Sequence, residues 1–155
     1  VRGSILGDGV TVDSQANVNA SVLGHGAKVG RQAHVNLCTL FPGAMVSAGD
    51  GHQASVFGED SFVAWGATIM DLSFGSTIKV ERNGPGSERS DTGVHFLGAA
   101  VGHRARIGHG VKIGYGVCVP NDAFIVDDSP VLKGWGTGPL DVPTVIRGGK
   151  AEPKG

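Results

Sequence analysis

Aromatic and charged residues are both scarce in this 155-residue chain, at 6% and 17%, and it has only two cysteines. Few aromatics argue against a core built on large rings. A formal net charge of −1 gives no basic surface for nucleic acid or a polybasic membrane contact. No apolar run approaches the roughly 20 residues that a membrane helix needs. Cys38 and Cys118 have neither metal-like nor disulfide-framework spacing and read as small packed thiols of a reduced, cytoplasmic interior. No signal peptide is visible, and the chain opens at Val1 instead of Met, as a fragment or processed product would.

Glycine is present in excess. An average chain carries roughly 7% Gly, whereas this one has 27 glycines. They follow no G-X-Y period, so collagen is excluded. Apolar positions recur too regularly for disorder. A fold that turns tightly and often remains, with Gly where the backbone needs positive φ.

The apolar period supports this. Aliphatics stand six apart at Leu6, Val12 and Val18, and resume after a five-residue step at Leu23, Val29 and Val35. A second five-residue step leads to Leu40 and Val46, and after an irregular stretch come Val63 and Ile69. The last run is Val101, Ile107, Ile113 and Val119. Gly often follows the aliphatic, as at Gly7, Gly24, Gly30, Gly102, Gly108 and Gly114, and a small or β-branched residue stands four positions after it. A period of six fits no α-helix. It fits short strands joined by tight turns, with three such units closing a triangular coil whose aliphatics point inward and whose stacked coils pair as parallel sheets.

This pattern resembles the hexapeptide-repeat family over roughly Ile5 to Leu72, with a gap after Val46, and again over Val101 to Val119. The resemblance implies an all-β fold, a left-handed parallel β-helix, against the usual right-handed crossover rule. It also implies homotrimers packed on flat prism faces. The helix is expected over 1–126 and an extended Pro/Gly-rich tail over 127–155, with Trp135 anchoring the tail on the last open coil.

Departures from the repeat are where function could sit. Ser73–Phe96 reads as an extruded hairpin arm: a strand-like Thr77–Glu81, the turn signal Asn83-Gly84-Pro85-Gly86, and a return near His95. Ser47–Gln53 reads as a smaller break. Of six histidines, His25, His103 and His109 stand second after an inward aliphatic, pointing sideways out of the coil. His103, soon after the arm, is a candidate general base or metal ligand, with His109 beside it in sequence.

Three branches of the family can be compared. The γ-class carbonic anhydrases bind a metal through three histidines. His103 and the arm fit that scheme, but Gly108 stands at the third ligand position, one residue before His109, and Met70 at the first. A one-residue shift turns a side chain to another face, so no metal is expected. The segment Val101–Ile107 is similar to the stretch around the catalytic His of UDP-sugar O-acyltransferases, which implies His103 as general base and an acyl-donor partner. The Gly-x-Pro-Ala stretch of acetyl-CoA users is replaced after Pro120–Val126 by Asp127-Asp128-Ser129-Pro130. Finally, Ser4–Val10, Ser21–Ala27 and Cys38–Ala44 share one rhythm. It looks like the C-terminal β-helix of sugar nucleotidyltransferases, which mainly oligomerises and regulates. This chain has no Gly-rich nucleotide loop. That resemblance implies an oligomerisation scaffold without a catalytic domain or cofactor of its own, with a nucleotide-sugar as possible small-molecule partner and neither nucleic acid nor membrane.

Overall fold

A computed structural model describes residues 1–84 and 86–126, together with the backbone of strands Thr144–Arg147 and Lys150–Pro153. Among the described residues there is no helix, and so none long and apolar enough to cross a membrane. The chain is a parallel β-solenoid. Its first face stacks six strands, Ile5–Leu6, Val22–Leu23, Thr39–Leu40, Val56–Phe57, Ala100–Val101 and Cys118–Val119. The second face stacks Thr11–Val12, Lys28–Val29, Met45–Val46, Phe62–Val63, Arg106–Ile107 and Phe124–Ile125. The third is divided: Asn17–Asn19, His34–Asn36 and Gly51–Gln53 pair together, and Thr68–Ile69 pairs with Lys112–Ile113.

Register explains the mixed six- and five-residue steps. Ile5 pairs with Val22, Val22 with Thr39 and Thr39 with Val56, so one coil equals two hexads and a pentad. Ala100 pairs with Cys118, one residue more, because the last coil is made of three hexads. The pentad corner is held by side chains as well as backbone. Ser21 N donates to Ser4 Oγ, Cys38 N to Ser21 Oγ and Ala99 N to Ser55 Oγ, at 3.1, 3.0 and 3.2 Å. The small residue opening each shared rhythm is therefore a rung of a hydrogen-bonded ladder in a buried corner.

The inward aliphatics form one core cluster. Leu23, Val29, Val35, Leu40, Val46, Val63 and Ile107 are all essentially inaccessible. Two features differ from the sequence expectation. Ser47–Gln53 does not interrupt the coil: Ser47-Ala48-Gly49 makes an ordinary corner, and Gly51–Gln53 pairs with His34–Asn36 in the standing register. His52 takes the inward place that Val35 holds one coil earlier, which hides the repeat because imidazole is not aliphatic. The glycines also divide into two kinds. Gly9, Gly26 and Gly43 have φ near +70°, yet the same turn position holds Asp60, Arg104 and Asp122 later, all at positive φ. Gly24 and Gly102 are needed for another reason: an added Cβ would lie 2.7 Å from Pro42 N and 2.5 Å from Asn121 N, backbone atoms of the next coil.

The arm is observed. Lys79–Glu81 pairs antiparallel with Arg89–Asp91, and a Leu72–Phe96 bridge closes its root. Above the arm the stack continues in register, since Val56 pairs directly with Ala100. In the tail, Thr144–Arg147 and Lys150–Pro153 pair antiparallel. The Trp135 anchor lies outside the described residues.

Candidate functional site

The first corner, following the first face, places Asp8, His25, Pro42, Glu59, His103 and Asn121 above one another. His25 Nδ1 accepts from Asp8 N at 3.0 Å, and His103 Nδ1 accepts from Glu59 N at 2.9 Å. One coil on, Asn121 Oδ1 accepts from His103 N at 2.8 Å. The three side chains do the same work, capping the N–H of the preceding coil's corner. Because the Nδ1 lone pair of His103 faces a donor, its ring proton belongs on Nε2. His103 is half-buried and meets Phe41 edge-on at 5.7 Å. Beside it Arg104 grips Asp122 through two hydrogen bonds of 2.6 and 2.8 Å. That pairing holds the Asp122 carboxyl below the usual carboxylate range and raises the guanidinium. The arm is not at this corner: its first strand runs past Gly116 and Cys118, across the first face from His103.

His109 stands at the second corner, one face away from His103, so the two candidates are not brought together. Its chemistry is the reverse. Nδ1 lies 2.5 Å from the Trp65 carbonyl oxygen, which can only accept, so Nδ1 carries the proton and the Nε2 lone pair is left available. The imidazole stacks on Trp65 at 5.1 Å and 23°. It lies across Gly66, whose φ is +79° and whose added Cβ would come within 2.7 Å of the ring. Both Asp50 oxygens accept from Gly66 N, at 3.0 and 3.1 Å. Partial burial pushes the Asp50 carboxyl up, opposed by the Gly66 N–H and, when its ring is protonated, by His109. Of the two predicted histidines, His109 therefore has the tautomer of a base or ligand.

Asp50 and Trp65 were not foreseen from the sequence. Adding the length of the inserted arm to the coil period would have set Trp65 beneath His109. Among the described residues no group of three or more His, Cys, Asp or Glu side chains is placed to hold a metal ion. Cys38, buried, and Cys118, half-buried, are both free. No protein-family model matches this chain, and no curated protein matches it in sequence.

Proposed function

We propose that this chain is a β-helical oligomerisation scaffold, related to the left-handed β-helix of sugar nucleotidyltransferases, and that it assembles as a homotrimer. The observation that carries the reading is the outward column of the first face: Ile5, Val22, Thr39, Val56, Ala100 and Cys118, in register. Ile5, Val22 and Val56 are 70, 45 and 41% exposed. The equivalent column of the second face interrupts Met45, Phe62 and Phe124 with the charges of Lys28 and Arg106, and that of the third carries Asn17 and His34. Rungs about 4.8 Å apart make the first face continuous from Ile5 to Val56, with the arm standing beside its Cys118 end, and contiguous exposed apolar surface of this kind marks contact with a partner. Three copies around an axis bury such a face without leaving an open edge. The arrangement of His103 favours a scaffold over a base at that position, since its Nδ1 is occupied by the turn and its Nε2 holds the proton.

The test is mass by light scattering at micromolar concentration. The expected value is about three times the 15.8 kDa of one chain. Replacing Val22 and Val56 together by Lys is expected to give a folded monomer, because six ammonium groups would meet at the axis. A monomeric wild type would overturn the reading.

A further inference from the structure

We infer that the third face, where Arg2 joins it, is a binding site for an acidic sugar, one carrying a phosphate or a carboxylate. The inference is independent of how the first face packs. Arg2 bridges to Asn19 in parallel register, and its backbone is fixed by Arg2 N to Val18 O at 2.8 Å and Ala20 N to Arg2 O at 2.9 Å. Arg2 thereby stands in an outward column with Asn19, Asn36 and Gln53. The amides of that column are ordered: Asn19 Nδ2 donates to Asn36 Oδ1 at 2.8 Å, and Asn36 Nδ2 to Gln53 Oε1 at 3.0 Å. A second column two residues away holds Asn17, His34 and Gly51.

Between these columns lies a cleft of about 410 Å³, lined by Arg2, Asn17, Asn19, His34 and Asn36 among others. Ligand pockets begin at roughly 300 Å³. The lining contains no carboxylate, and Arg2 has no ion-pair partner among the described residues. Gly51 supplies no side chain beneath His34; only His34 Cβ, at 3.9 Å, would meet an added Cβ there. No side chain of Gly51 therefore fills the space next to His34 at that end of the cleft.

A guanidinium fork without a partner suits a phosphate or carboxylate, which it grips with two parallel hydrogen bonds. Amides and an imidazole repeating about every 4.8 Å along the stack offer donors and acceptors at the scale of neighbouring hydroxyls. Inorganic anions would use the first group alone and neutral sugars the second alone. A ligand that carries both uses the whole cleft.

The measurement is an NMR titration of the full chain with glucose 1-phosphate and glucuronate, and with glucose and inorganic phosphate as fragments. At least one acidic sugar is expected to shift the amide resonances of Asn17, Asn19, His34 and Asn36. It should bind about tenfold or more tightly than either fragment. Which acid binds more tightly identifies the anionic group. Arg2→Ala should weaken binding about tenfold, and Arg2→Lys should recover only part of it. The Arg2 variants are checked for folding by circular dichroism, and His34→Ala gives a second variant on the opposite column with the same expected loss. No shifts at about 20 mM ligand, shifts confined to another face, phosphate alone binding as tightly as the acidic sugars, or an unchanged affinity in Arg2→Ala would each overturn the proposal.

Discussion

His52 is the least conventional residue of the core. Its side chain is inaccessible, both ring nitrogens lack a hydrogen-bond partner, and its nearest aromatic neighbour is Phe57, edge-on at 5.4 Å. Burial alone lowers its pKa from 6.5 to about 4. The folded state thus prefers the neutral ring, and the unfolded chain binds the extra proton between those two values. Stability is therefore full above pH 6.5 and falls as the pH drops towards 4, by up to about 3 kcal/mol. His52→Val restores the aliphatic column and removes two unpaired nitrogens, so it should raise the melting temperature at neutral pH. It should also flatten the acid limb between pH 6.5 and 4, with thermal unfolding across that range as the measurement. A variant as acid-sensitive as the wild type would place the sensitivity elsewhere. The same residue marks a limit of legibility. Most inward positions announce themselves as Val, Leu or Ile, whereas a neutral imidazole fills the bore without belonging to the period. Glycine was legible in number but not wholly in cause: Gly24 and Gly102 admit the backbone of the next coil, at Pro42 and Asn121, a relation across a whole turn of the stack that no local rule displays.

Among the elements, the arm was the clearest departure in the sequence, and its hairpin form was legible because hairpin chemistry is local, although the first strand pairs only over Lys79–Glu81 and its partner Arg89–Asp91 had read as a polar run. Where the arm packs was not readable. Ile78 is fully buried, and Gly116 lies beneath it, since an added Cβ there would meet Lys79 O and Ile78 Cγ2 at 2.6 and 2.7 Å. Cys118 Sγ lies 3.6 Å from Glu81 O. The arm thus shields the last rung of the apolar first face. The pairing of the coils runs past it, because Val56 and Phe57 pair directly with Ala100 and Val101 across the insertion. Replacing residues 74–94 by a short Gly-Ser link should leave the strand signal of circular dichroism in place. It should speed the reaction of Cys118 with a thiol reagent several-fold, while Cys38 stays inert in its buried corner. An unfolded product would mean that the arm is part of the core. The candidate site shows the same division: the corner histidines were visible from their spacing, but their tautomers depend on whether the partner is Glu59 N or Trp65 O, and only stacking decides that.

For the whole molecule, the governing fact is that each coil touches only the coils before and after it. Stability in such a stack is a sum of coil and interface contributions, and a coil with a neighbour on one side holds less of it. Exposure follows that rule here. Leu6 is 42% exposed in the first described coil, whereas Leu23 and Leu40, in the same column with described coils on both sides, are at 1%. Phe57 and Val63, with coils on both sides, are inaccessible. Backbone pairing alone would not distinguish them, because Ile5 N and Gly7 N donate to Ser21 O and Leu23 O as regularly as Val22 N and Gly24 N donate to Cys38 O and Leu40 O. For the 155-residue chain taken by itself, amide hydrogen exchange at neutral pH is therefore expected to be slowest from Val22 to Val63 and at least tenfold faster at Ile5 and Gly7, through local fraying at similar hydrogen bonds. Assembly through the first face would slow exchange at Val22, Val56 and Ala100 beyond their second-face counterparts Lys28, Phe62 and Arg106. Equal protection on both faces of the wild type would contradict burial of the first face, even if the mass were that of a trimer.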